Sequence, residues 1–372
     1  MSETASQTGP QSVPRGSRAV RNVLSNWTGY IVSVGITFFL SPFIVHHLGD
    51  SAYGVWVLLV SLTGYLGLLD LGVRGAVTRY VARFHTQTRH EDSSRIVSSA
   101  LGIFVIAGMI AIFFSVVLAA FALRIFHIPP AHQFAAGVVL PLVGITVALS
   151  LTGSVFGGIV AGLQRFDLVN GIEIAISILR ALATVLVLDA GKGIIALAAI
   201  QLGFAALRGL VYVYFSLRLY PELRVSLRLV NRQHLHMIFS FSLYSFMLQV
   251  SAYLILYTDA VVIGAFLPVS LVTFFSIAGN LVTYARGLTN GITTTMTPMA
   301  SQLEASGKHS ELQWVTLKGA RYASALMLPI GVTFMLRGST FIGLWMGPKY
   351  ASLSGTVLLV LAIAYVMSAG PA

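Results

Sequence analysis

Ten stretches of about 20 apolar residues, joined by short polar connections, dominate the chain, and each is long enough to cross the hydrocarbon of a bilayer once as a helix. They lie near residues 26–45, 53–73, 96–120, 136–160, 172–189, 194–216, 237–258, 270–297, 317–337 and 352–370, with the seventh able to run past Asp259 to Gly264. Only 9% of the residues are charged and 56% are hydrophobic, against roughly 25% charged in a soluble domain. The chain reads as an all-α membrane protein of about ten transmembrane helices. It has no cysteine, which excludes disulfides, thiolate metal sites and cysteine nucleophiles. The first 20 residues are polar and rich in Ser, Thr, Gly and Pro, with no cleavage site after the apolar run that follows. That is the pattern of a disordered tail entering an uncleaved first helix.

The net charge of +11 is a matter of orientation before it is one of ligands. With the tail in the cytoplasm, the cytoplasmic segments hold Arg15, Arg18 and Arg21, then Arg74, Arg79, Arg83, Arg89 and Arg95, then Arg165, then Arg218, Arg224, Arg228 and Arg232, then Lys308. The outer segments hold Arg124, Lys192, Arg337 and Lys349. This bias puts both termini of a multi-pass protein on the cytoplasmic side of the inner membrane and accounts for the basic total without nucleic acid. In "GSVFGGIVAG", Gly153, Gly157 and Ala161 recur every four residues beside Gly158 and Gly162, a spacing that lets helices approach closely in lipid.

Polar residues inside apolar spans are costly and tend to face protein or water. In the first span Asn26, Tyr30, Ser33, Thr37 and Ser41 form one helical stripe, and in the second Thr63, Gly67, Asp70, Arg74 and Thr78 form another. The seventh offers Ser242, Ser245 and Gln249, and the eighth Thr283, Arg286, Asn290, Thr293 and Thr297. Hydrogen bonding of Ser and Thr to their own backbone explains single positions, whereas Gln249, Arg286 and Asn290 need partners or water. A shared aqueous cavity bordered by spans one, two, seven and eight accounts for all four stripes. Arg74, Arg79 and Arg286 then form a basic vestibule toward the cytoplasm, suited to a phosphate-bearing headgroup because guanidinium grips phosphate oxygens in pairs. Asp70, one turn from Arg74, is either its ion-pair partner or, with Asp259, a titrating group for ion coupling.

Arg180 and Arg208 each sit eight residues from the cytoplasmic end of their assigned spans, hence about 12 Å deep, with Glu173 on the face of Arg180 and placed to neutralise it. Signals for catalysis are poor. "RHEDSS" lacks the second His of a zinc helix, no phosphate loop is present, and no nucleophile stands at a recognisable spacing from a His and a carboxylate. His46, His47, His234 and His236 fall in loops, where solvation is the ordinary state.

"SPFIVHHLGDSAYGVWVLLVSLTGYLGLLDLGVRGAVTRYVARF", "DAVVIGAFLPVSLVTFFSIAGNLV" and "FIGLWMGPKY" resemble polysaccharide-transporter flippases of the Wzx type, within the multidrug, oligosaccharidyl-lipid and polysaccharide exporter superfamily. The likeness runs over residues 20–372. It implies two six-helix lobes related by a pseudo-twofold along the membrane normal, around a central cavity bordered by the first two helices of each lobe. On that plan residues 1–20 are a tail, 21–218 the first lobe, 219–236 a basic cytoplasmic linker and 237–372 a second lobe of about four helices. That lobe is shorter than the family's, so the chain is either truncated or a shortened relative. The resemblance further implies a non-enzymatic flippase with no cofactor. It would carry polyprenyl-diphosphate-linked oligosaccharide from the inner to the outer leaflet by alternating access, with membrane lipid, polysaccharide polymerase and glycosyltransferases as partners. Asp70 and Gly72 of "LDLG" match the family's second-helix signature, and no family motif fixes a role for Arg286.

Other classes stay open. An ion-coupled multidrug exporter of the same superfamily favours carboxylates over arginines in its cavity. A polysaccharide polymerase or glycosyltransferase needs catalytic groups on sizeable surface loops, which the short outer loops do not supply, and a truncated chain is also compatible with a non-transporting scaffold. The orientation is directly testable: reporters fused to the tail and after Lys308 are expected to score as cytoplasmic, and reporters after Lys192 and Lys349 as external.

Overall fold

The computed structural model describes residues 15–367, with side chains from residue 27 onward except at 123, 227, 241–245, 290, 292–295, 297–299, 301, 302 and 305. All its long elements are helices, as a backbone facing lipid must satisfy its own N–H and C=O groups. They are α1 (Arg15–Gly64), α2 (Val73–Thr86), α3 (His90–Ile125), α4 (Pro130–Gly162), α5 (Phe166–Asp189), α6 (Ile194–Leu219), α7 (Arg232–Phe266), α8 (Ser270–Ala305), α9 (His309–Trp345) and α10 (Pro348–Met367). Short 3-10 turns cover Tyr65–Asp70 and Leu227–Leu229.

Among the described residues eight segments are long and apolar enough to cross a membrane, the first being Trp27–Thr86 with 60 residues. That first segment crosses twice. It breaks at Gly49, whose φ of 75° and ψ of 165° are not helical; a side chain is strained at that φ, which glycine adopts freely. Residues on both sides of the break return to the same end of the bundle. A Cβ at Gly29 would sit 3.9 Å from Asn170 near the start of α5, and Gly162 at the end of α4 abuts Thr78 and Val81. With α8, whose polar stripe keeps it out of the apolar set, the described helices make ten crossings, as the apolar runs predict.

The turns α2–α3, α4–α5, α6–α7 and α8–α9 share one end of the bundle, here the basic end; the break at Gly49 and the turns α3–α4, α5–α6, α7–α8 and α9–α10 share the other. The glycines of α4 work as their spacing predicts. Gly153 meets Gly209 of α6, while Gly158 and Gly162 admit Arg74, Thr78 and Val81 of α2. Helices α8, α9 and α10 pack on one another, α8 packs on α1, and α7 lies against α1, α2 and α3 as well as α8.

At the basic end, the segment between α6 and α7 is fastened along α3 by a row of serines. Ser94, Ser98 and Ser99 accept hydrogen bonds from the backbone N–H groups of Arg224, Ser226 and Asn231 at 3.0, 3.2 and 3.4 Å. His234, expected to be solvated, is 4% exposed, with Nε2 3.4 Å from Asp92 Oδ1. Burial pulls its imidazole below the ordinary histidine range; Asp92 opposes that shift, and Arg95 and Arg89 reinforce it. The folded protein therefore prefers the neutral ring. The stability this gives is fully present above the ordinary histidine value and is lost as pH falls through the depressed one.

A Cβ at Gly54 would lie 2.2 Å from the Val269 carbonyl oxygen, so Gly54→Val is expected to destabilise the detergent-solubilised protein by about 1–3 kcal/mol, read as a lowered melting temperature. Backbone amide exchange of residues 224–231, corrected for its intrinsic pH dependence, is expected to quicken on acidification from about pH 8 to about pH 5, and to lose that response in His234→Gln.

Candidate functional site

The second crossing is not the continuous helix that its stripe predicts. It tightens into a 3-10 turn at Tyr65–Asp70, passes through Leu71 and Gly72 in left-handed conformation (φ 51° and 76°), and restarts as α2 at Val73. Asp70 drives the restart. Its Oδ1 accepts the Gly72 N–H at 3.1 Å. The charge thereby caps the N-terminal end of α2, where the helix dipole favours an anion. Tightened mid-membrane helix of this kind often marks a hinge, and here α7 covers it. A Cβ at Gly64 would meet the Tyr257 ring at 2.6 Å and one at Gly67 the Tyr253 hydroxyl at 2.9 Å, while the Tyr65 hydroxyl bonds Thr258 Oγ1 at 2.7 Å.

Behind this segment lies a chamber of about 340 Å³ enclosed by the second crossing, α4, α5, α6 and α7. Asp70 and Arg74 enter from one side, Glu173 from α5, and Gln201, Arg208 and Tyr212 from α6, with Ser150 and Ser154 of α4 opposite and Tyr253 and Tyr257 of α7 as cover. Glu173 holds the centre. It accepts the Tyr212 O–H at 2.8 Å and faces Arg208 at 3.7 Å, and Arg208 in turn donates to Ser150 Oγ at 3.2 Å. A second hollow of about 350 Å³ between α1 and α5, lined by Tyr30, Ser33, Asn170 and Ser177, reaches the same Glu173 from the other side.

Arg180 is exposed and within Coulombic reach of both Glu173 and Arg208. Arg208 and Arg180 thus lie in the field of one carboxylate and Arg74 in that of Asp70, so three guanidiniums stand against two carboxylates. Helix positions set the depth of two of them. Arg180 is fourteen residues from the start of α5 and Arg208 eleven from the end of α6, about 21 and 16 Å along their helices from the basic end at 1.5 Å per residue, near the middle of each helix. The depth of about 12 Å expected for both counts from the edge of the apolar runs, and α5 itself begins six residues before its run, at Phe166. Asp167, Asn170 and Glu173 are polar yet helical. Glu173 acts on Arg180, as its place on the same face predicts, and it also faces Arg208.

Of the expected vestibule, Asp70 and Arg74 line the chamber and join Arg208 and Glu173, which the sequence sets apart from them. Arg79 lies on the exposed face of α2, with its guanidinium 6.0 Å from the Tyr80 ring. Arg286, Gln249, Thr283 and Asp259 do not line the chamber. Arg286 and Gln249 are half-buried and Asp259 is exposed. Thr283 returns its hydroxyl to the Gly279 carbonyl at 2.8 Å. The side chains of Asn26 and Asn290 lie outside the described residues. The neighbouring part of α8 is used for packing, because Gly287 and Gly291 receive Tyr30 and Trp27 of α1. Sequence reasoning missed Gln201, Tyr212, Ser150, Ser154, Tyr253 and Tyr257. Their signal is present, since 201, 208 and 212 fall on one face of α6 and 146, 150, 154 and 157 on one face of α4.

A model of the family described as "Polysaccharide biosynthesis protein" matches residues 19–304. The chain is 22% identical over 151 residues to a candidate O-antigen transporter of Shigella flexneri, covering 41% of this chain and 36% of that protein. It is 21% identical over 347 residues to "Probable flippase AglR" of Haloferax volcanii, covering 93% of this chain and 66% of that one. It thus spans less than two thirds of the length of these relatives. Among solved structures, an inward-facing multidrug resistance MATE family transporter of the MOP superfamily superposes with a TM-score of 0.74 over 92% of this chain and 78% of that one, at 17% identity. That likeness establishes a MATE-like helical fold, and the family match over residues 19–304 shows that the chain belongs to the polysaccharide biosynthesis protein family.

Proposed function

We propose that the chain is the transporting part of a flippase that carries polyprenyl-diphosphate-linked oligosaccharide from the cytoplasmic to the outer leaflet of the inner membrane by alternating access, with the basic end toward the cytoplasm. The observation that carries this reading is the surplus guanidinium charge midway along α5 and α6, beside a chamber lined with hydroxyl, amide and aromatic groups. A cation at that depth costs several kcal/mol unless water or an anion meets it. A phosphate answers both its charge and its forked geometry, and the hydroxyls and tyrosine faces suit a sugar. Arg208, Arg180 and Arg74 are the proposed phosphate contacts, with Gln201, Tyr212 and Ser150 around the sugar. The curated relatives named as an O-antigen transporter and a flippase support this substrate class.

An ion-coupled drug exporter of the same superfamily is the second reading, favoured by the two carboxylates in the chamber and by the fold of the multidrug transporter. Both carboxylates are already occupied, Asp70 by the start of α2 and Glu173 by Tyr212 and Arg208, which weighs against it.

Loss of one charge-assisted contact is worth about 1.5–3 kcal/mol. Arg208→Ala and Arg74→Ala are therefore each expected to slow glycan export about tenfold to a hundredfold at normal protein level, with lipid-linked repeat units accumulating in the inner leaflet. Chemical identification of the accumulated lipid names the substrate. Unchanged export in both variants, or accumulation of no glycolipid on deletion of the gene, overturns the reading.

A further inference from the structure

Two of the motifs noted in the sequence, "HHLGD" at residues 46–50 and "GPKY" at 347–350, take no part in the chamber. They meet each other at the end of the bundle opposite the basic one. Gly49 (φ 75°) and Gly347 (φ 109°) break their helices, and the two turns present Asp50 and Lys349. Lys349 Nζ pairs with Asp50 Oδ2, and the Tyr350 hydroxyl donates to Oδ1. The Asp50 carbonyl accepts the Thr273 hydroxyl at 2.7 Å from the first turn of α8. Trp345 stacks on Phe38 at 4.7 Å and donates its Nε1–H to the Phe38 carbonyl at 3.0 Å. A single turn of the first two crossings is therefore clamped by α8, α9 and α10 together.

The two ends of this seam differ in chemistry. Toward the basic end, α1 meets α8 mainly through shape, with Tyr30 and Trp27 seated against Gly287 and Gly291. At the opposite end the seam is closed by charge. The Asp50 side chain is 15% exposed and that of Lys349 65%, so the carboxylate is held in the seam while its ammonium partner stays in water. An ion pair with one solvated partner contributes modestly and is screened by salt, which makes it a contact that can be released and remade.

We infer that Asp50, Lys349 and Tyr350 form an ionic latch that holds the end of the bundle opposite the basic one closed, and that parting it opens the chamber toward that side. The inference rests on reading the chain as a transporter, but its test needs no substrate. The chain has no native cysteine, so Gln201→Cys, on the chamber wall seven residues from the start of α6, reports access. In membrane vesicles exposing the opposite end, a membrane-impermeant thiol reagent is expected to label that cysteine about tenfold faster in Asp50→Asn and in Lys349→Met, and faster in the Cys reporter alone when salt is raised. The exchange Asp50→Lys with Lys349→Asp is expected to return labelling to the reporter's rate.

Flat labelling in both single variants, inserted at normal level, overturns the latch. So does failure of the exchange to restore the slow rate, and so does equal acceleration at Ser352→Cys, which is outside the chamber and registers general loosening. If labelling shifts as expected while Arg208→Ala leaves export unchanged, the latch stands and the substrate reading falls. If labelling is flat while Arg208→Ala stops export, the latch alone falls.

Discussion

A bilayer solvates neither a bare peptide group nor a bare charge, and almost every feature of this protein answers that constraint. The backbone satisfies itself in helices. Where regular α-helix is abandoned, at Tyr65–Gly72, something else takes up the freed groups: Asp70 accepts the N–H of Gly72, and two tyrosines of α7 cover the glycines. The same residue that most looked like a titrating group for ion coupling thus has a local task, which is to restart a helix in a place where an uncapped end is expensive.

Charge is handled with similar economy. Glu173 is met by Tyr212, Arg208 and the field of Arg180, so one carboxylate organises two cations and leaves them short of one negative charge. Structural ion pairs inside membranes are normally balanced, and an unbalanced one is matched by water or by a ligand. That imbalance, more than the volume of the chamber, is what the proposed phosphate-bearing cargo would answer. It also separates this chamber from one built around free carboxylates.

The molecule is stitched differently at its two ends. At the basic end the α6–α7 segment is pinned to α3 by serine hydroxyls and a buried neutral histidine, contacts that resist movement because breaking them strands buried polar groups. The opposite end relies on aromatic stacking and on an ion pair with one foot in solvent. A rocking motion that opens the bundle meets less resistance where closure depends on screened charge than where it depends on buried hydrogen bonds.

The sequence alone determined the class, the number of crossings and the close packing of α4, because apolar length and small-residue spacing are local properties that lipid reads directly. It also carried Asp70, Arg74, Arg208 and Glu173 as intramembrane polar residues. Tertiary structure decided which of them meet. Glu173 acts on Arg180, its companion on α5, and also meets Arg208, because α6 brings a guanidinium and a tyrosine to it from the side. Gln249 and Arg286 look like cavity residues by spacing, yet neither lines this chamber, whose α7 wall is Tyr253 and Tyr257. The contact between residues 46–50 and 347–350 spans some 300 positions. Helical periodicity tells which face a residue occupies, and only the packing of distant helices tells what that face sees.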